Sequence, residues 1–125
     1  MSLARRSRGA ALAAAVTLMA AGGLALIPGG PASATVVVRG VGTRWSPATT
    51  NILRGGSVRW MAVSNAHQVR AYGGNWTFGS RILQPGQSTL ARTFNTRGTF
   101  RFYCTIHGRL VNGVCQGMCG RIVVA

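Results

Sequence analysis

No residue of this chain is Asp or Glu, while 14 arginines and no lysine give it a formal net charge of +14 over 125 residues. Such a chain folds without intramolecular salt bridges, apart from any to its C-terminal carboxylate. It has to be held by apolar burial and backbone hydrogen bonding. The same absence excludes an Asp/Glu general acid–base pair, a carboxylate cage for Ca²⁺ or Mg²⁺, and the acid of a catalytic triad. With 47% hydrophobic residues and 18 glycines, the composition is not that of a disordered basic tail.

The first 34 residues read as a leader. Arg5, Arg6 and Arg8 precede an uncharged stretch from Ala10 to Ala21. Gly22, Gly23, Pro28 and Gly29 then break any helix, and Ala32-Ser33-Ala34 has the small-residue pattern of a cleavage site. Residues 1–34 are therefore expected to be a secretory signal peptide and residues 35–125 the folded domain. The Arg5-Arg6 pair permits either the general or the twin-arginine export route. An uncleaved anchor is the alternative, but the Ala/Gly content of the stretch makes it a poor membrane span. Cleavage leaves 91 residues and, without the three leader arginines, a charge of +11.

The mature chain reads as strands throughout. Thr35 to Val38 is β-branched up to the glycines at 40 and 42. After a Gly55-Gly56 turn, Val58, Trp60 and Ala62 alternate with Ser57, Arg59 and Met61. Pro85-Gly86 and Arg97-Gly98 mark further turns. Leu90 to Phe94 is a strand whose alternation Arg92 interrupts, which suits an edge or a bulge. Phe100, Phe102 and Cys104 share one face of a cleanly alternating run, and Ile122-Val123-Val124 closes the chain. Short strands between Gly/Pro turns, with no helical period, predict an all-β sandwich or barrel.

The residues able to carry chemistry gather near the C-terminus. Cys104 and His107 stand three apart at a strand end, and Met118 lies just before the last strand. His67 is the other histidine of the chain. Singly, each has a plain reading: a structural histidine, a buried thiol, a core methionine. Jointly, two imidazoles, one thiolate and one thioether are the ligand set of a blue-copper site, with Met as the weak axial ligand. Soft sulfur favours Cu(I), imidazole serves both oxidation states, and an intermediate geometry keeps reorganisation small.

The sequence resembles the small cupredoxins of the plastocyanin/azurin type over nearly all of the mature chain. Leu53-Arg-Gly-Gly-Ser-Val-Arg-Trp60 is similar to the family's glycine turn and Val-x-Trp strand, and His67-Gln-Val to its first-ligand segment. Leu83-Gln-Pro-Gly-Gln resembles its Pro-Gly turn, and Arg97-Gly-Thr-Phe-Arg-Phe-Tyr-Cys-Thr-Ile-His107 its ligand strand. Gly117-Met118-Cys-Gly-Arg-Ile-Val-Val resembles its axial-ligand loop and closing strand. Two departures stand out: a long loop of ten residues between His107 and Met118, and Gly-Gly-Ser where an acidic residue is usual before Val58. The resemblance implies a cupredoxin-like Greek-key β-sandwich holding one copper per chain through His67, Cys104, His107 and Met118. It also implies that the Gln68 N–H approaches the Cys104 sulfur and that electrons leave through His107.

With Cys104 as the thiolate, Cys115 and Cys119 remain, and a disulfide between them would fix Met118. A tetrahedral zinc site of Cys104, His107, Cys115 and Cys119 is the rival reading, and it leaves His67 and Met118 idle. A metal-bound imidazole is normally oriented through its second nitrogen, which here falls to backbone carbonyls or water. Thr105 is placed to bond the Gln68 segment and lock the two ligand loops together.

The mature arginines are scattered from Arg39 to Arg121 without a cluster. A nucleic-acid binder usually concentrates its charge, so no nucleic acid is expected. An acidic redox partner or an anionic cell envelope is. The expected function is an extracytoplasmic, monomeric, one-electron carrier, in the envelope or secreted, with no membrane span after cleavage. A copper carrier or store without a redox partner is the alternative, and a zinc-stabilised structural module the remote one. An enzyme is not expected, because four protein ligands leave no open position on the metal. Protein from the culture or envelope fraction should have the intact mass of a chain starting at Thr35. A retained N-terminus in the membrane fraction would make the leader an anchor.

Overall fold

The computed structural model describes residues 34–125, so the expected leader lies outside the described residues except for Ala34. Among those residues there are eight strands and no helix: β1 (Thr35–Val41), β2 (Arg44–Ser46), β3 (Thr49–Ile52), β4 (Ser57–Ala62), β5 (Val69–Tyr72), β6 (Arg92–Thr93), β7 (Gly98–Val111) and β8 (Val114–Val124). They form two four-stranded sheets, ordered β2-β1-β4-β6 and β3-β8-β7-β5. Both sheets are mixed: β1 runs parallel to β4 and β3 parallel to β8. From β3 to β7 the chain changes sheet at every step, as Greek-key sandwiches do.

The alternation of each strand decides what fills the space between the sheets. Val38, Val58, Trp60 and Ala62 come from the first sheet, and Val69, Phe102, Cys104 and Ile122 from the second, all fully buried. Aromatic edges and faces tie the layers together. Trp60 lies 5.3 Å from Phe102 and 4.9 Å from Phe78, and Trp45 lies 5.5 Å from Phe102. Centroid separations in this range are the favoured ones for offset and edge-to-face pairs. The Gly55-Gly56 and Pro85-Gly86 signals are realised as turns, closed by Gly56 N–H to Leu53 O and Gln87 N–H to Gln84 O.

Two sequence expectations are corrected. The strand expected over Leu90 to Phe94 shrinks to Arg92–Thr93, at the edge of its sheet. Leu90 is 89% exposed. The Arg92 guanidinium explains the broken alternation, because it lies 5.7 Å from the Trp76 ring centre and donates to Thr77 O. The long loop between His107 and Met118 is not a loop. It is the outer part of the β7–β8 hairpin, with Val111 opposite Val114. Asn112 and Gly113 form its tip with φ of 51° and 79°. Two successive positive φ values are the type I′ turn that Asn-Gly favours, and that turn matches the twist of the strands it joins.

The hairpin is irregular at one place. Tyr103 pairs with Cys119, and the next pair is Gly108 with Gly117. Cys104 to His107 therefore form a bulge on β7 opposite Met118 alone. Bulges re-aim side chains, and this one sits at the residues singled out for chemistry.

Among the described residues no helix is long and apolar enough to cross a membrane. Phe102 is fully buried and packs against Trp45 and Trp60, so Phe102→Ala should cost about 3–5 kcal/mol of metal-free stability. Urea unfolding of the two proteins measures this; a loss below about 1 kcal/mol would mean the core closes over the gap.

Candidate metal centre

The site is assembled from the β7 bulge and the segment between β4 and β5. His67 is held there by an isolated two-way bridge, His67 N–H to Leu83 O and Leu83 N–H to His67 O. Its ring lies fully buried, and its Nε2 is 2.7 Å from the Ser64 carbonyl oxygen. A carbonyl only accepts, so Nε2 carries the proton and Nδ1 keeps its lone pair. That lone pair faces Cys104 Sγ at 3.7 Å. His107 Nδ1 reaches the same sulfur at 3.6 Å, and the two rings are 5.1 Å apart. The two nitrogens and the sulfur all lie within 4.8 Å of one another. Burial holds the His67 imidazole below its ordinary pKa, against the Ser64 hydrogen bond that raises it. The ring is kept in the neutral form that a metal requires.

The second-nitrogen role falls to a backbone carbonyl, as the lack of carboxylates dictates. The Ser64 carbonyl is itself well fixed. Ser64 N–H donates to Gly40 O, Gly42 N–H donates to Ser64 Oγ, and Asn65 Nδ2 donates to Gly42 O. Thr105 locks the ligand segments together as expected: its N–H donates to Gln68 O and its hydroxyl to Gln68 Oε1 at 2.6 Å. Gln68 Nε2 continues the chain to Ser80 O. The Gln68 N–H, expected at the Cys104 sulfur, makes no hydrogen bond to it among the described residues; Thr105 makes the tie instead.

Met118 is 1% exposed, on the inner side of β8 directly opposite the bulge. Cys115 and Cys119 are disulfide-bonded, and Cys104 is a buried free thiol. The bond removes two sulfurs from the rival zinc set. The Cys115 and Cys119 Cα atoms are 6.0 Å apart, whereas four residues of straight strand span roughly 13 Å. The disulfide therefore cinches a sharp bend, with Gly117 at its centre at φ 91°.

Three contributors were not legible in the sequence reading. Gly40 lies flat against His67, where a Cβ would come within 2.5 Å of the ring. Ser64 acts through its carbonyl, which every residue has. Trp45, 3% exposed, packs its ring 5.6 Å from that of His67. Only Gly40 left a trace in the sequence, as a glycine interrupting a β-branched run.

The donor set fits copper: two imidazole nitrogens and one sulfur converge, the buried Met118 thioether lies across from the bulge, and no carboxylate side chain is present to favour a harder ion.

No protein-family model matches the chain, and no curated protein is similar to it in sequence. Solved structures are similar in fold. A reduced tryptophan-to-tyrosine mutant of amicyanin superposes with a TM-score of 0.60 at 20% identity, over 73% of this chain and 82% of that one. An oxidised methionine-to-lysine mutant of amicyanin gives 0.59 at 20% over the same shares. The novel purple cupredoxin from Nitrosopumilus maritimus gives 0.55 at 21%, over 72% of this chain and 99% of that one. The chain thus has the cupredoxin fold, and its His-Cys-His-Met arrangement is one that fits a small cupredoxin.

Proposed function

We propose that this protein is an exported type 1 copper protein that carries one electron between larger partners. His67, Cys104 and His107 would hold one copper strongly, and Met118 would be its weak ligand. When bound, copper would supply a Cu(I)/Cu(II) couple at a site with one thiolate and two imidazoles. The observation that carries this reading is the approach of two Nδ1 nitrogens to one buried sulfur, at 3.7 and 3.6 Å.

The residues of the chain do the rest. Ser64 fixes the His67 tautomer, and the Thr105–Gln68 bonds hold the two ligand segments in register. The disulfide restrains Met118. Full burial of Cys104 keeps water from the sulfur, while the partly exposed His107 leaves the site an edge at the surface. A carrier has to keep its ligands in place in both oxidation states, and a site fastened on two sheets is suited to that. The amicyanin and purple cupredoxin structures support the fold on which this rests. The excess of arginine favours acidic partners, and the leader an extracytoplasmic location.

Adding Cu²⁺ should produce an intense blue thiolate band, absent in Cys104→Ser. Met118→Gln should keep the band and lower the reduction potential. Copper should stay bound through repeated reduction and reoxidation; ready loss to a Cu(I) chelator on reduction would favour a copper carrier instead. Gly40→Ala should weaken copper affinity by about tenfold or more, since the methyl displaces the His67 ring that the Ser64 bond positions. Competition titration against a chelator of known affinity measures this, and an unchanged affinity would remove Gly40 from the site.

A further inference from the structure

Two arginines face each other directly across neighbouring strands on the outside of the second sheet. Arg101 of β7 is paired with Arg121 of β8, and both are exposed. The transverse row through them runs Thr49, Arg121, Arg101, Tyr72 across all four strands. The neighbouring row adds Tyr103 and, opposite it on β5, exposed Arg70. The inner partners of these positions, Phe102, Cys104, Ile122 and Val69, are fully buried, so the pleat sends the three guanidiniums and two phenols to one outer face. Tyr72 and Tyr103 meet edge to face at 5.8 Å.

Like charges directly opposite in an antiparallel pair are destabilising. A nearby carboxylate side chain would relieve such a pair, but this chain has none. Among the described residues the Arg121 side chain bonds only Thr49 Oγ1, at 3.2 Å. The counter-charge that makes this arrangement favourable has to come from another molecule.

We infer that the outer face of the second sheet, centred on Arg101, Arg121 and Arg70, is a docking surface for an acidic protein segment. Guanidiniums on adjacent strands offer parallel forks to carboxylates, and the tyrosine hydroxyls between them add donors. Electrostatic complementarity of this kind sets orientation and on-rate. That the occupant is a redox protein rests on the proposed electron-carrier function; its acidity rests on the arginine pair.

The test compares the Arg101→Gln/Arg121→Gln double variant with an Arg39→Gln/Arg44→Gln control, which removes equal charge from exposed positions on β1 and β2. Poly-L-glutamate is the probe, titrated with and without copper over a salt series. The face variant should weaken binding roughly tenfold or more and flatten its salt dependence, against less than about twofold for the control. Amide shift changes on adding the probe should map to β5, β7 and β8. Equal weakening in both variants would make the charge generic and overturn the proposal. So would selective loss of binding to inorganic polyphosphate or to anionic phospholipid vesicles with polyglutamate unaffected. Thermal unfolding gives a second readout. Arg101→Gln should hold or raise the midpoint as the repulsion is relieved, and a fall of several degrees would assign the pair to the fold. A protein that binds polyglutamate at this face yet shows no blue band would keep the docking surface and discard the electron carrier.

Discussion

The hydrogen bond from His67 Nε2 to the Ser64 carbonyl decides which nitrogen of that imidazole meets the Cys104 sulfur. Were the proton on Nδ1, that nitrogen would offer the centre a donor where a metal needs a lone pair. In many metal sites a carboxylate performs this orientation. Here the task falls to backbone, and the backbone that supplies it is fastened to Gly40 and Gly42 at the β1–β2 connection. Gly40 then serves twice, through the carbonyl that holds Ser64 and through the missing side chain that admits the ring. The centre thus depends on β1 although none of its donor atoms lies there.

The second determinant is the bulge on β7. A regular hairpin from Gly98 to Val124 would continue its alternation and pair every residue in turn. Placing four residues opposite Met118 lets Cys104 and His107 turn toward the same point. On one side Thr105 binds the bulge to Gln68, and on the other the disulfide bends β8 around Met118. The fold supplies the frame, and these local departures from regularity supply the convergence.

The sequence revealed the sandwich because its inward residues alternate cleanly where it matters, at Val58, Trp60, Ala62 and at Phe100, Phe102, Cys104. The converging His67, Cys104 and His107 were legible because they are few and chemically distinctive in a chain with two histidines. The β-ribbon beyond His107 was missed because its short, exposed strands lack a two-residue alternation, although Asn112-Gly113 spelled its turn. The strand at Leu90 was overextended because apolar residues at a sheet edge resemble those in its middle. Ser64 could not be foreseen, since a carbonyl leaves no mark on the sequence. Trp45 could not either, because its partnership with His67 depends on the return path of β2.

The pleat of β7 also bears on sulfur chemistry. Tyr103 pairs with Cys119 on the outer side of the sheet, while Cys104, one residue along, points inward and is fully buried. Thiol–disulfide exchange requires a thiolate to reach a sulfur of the bond it attacks. The paired backbone of β7 and β8 lies between Cys104 and Cys119, so the free thiol and the bridge stay segregated for as long as these strands remain joined. Scrambling to a Cys104–Cys119 bond is therefore confined to molecules in which the hairpin has opened, and whatever keeps the hairpin closed also preserves the one reduced cysteine of an otherwise oxidised chain.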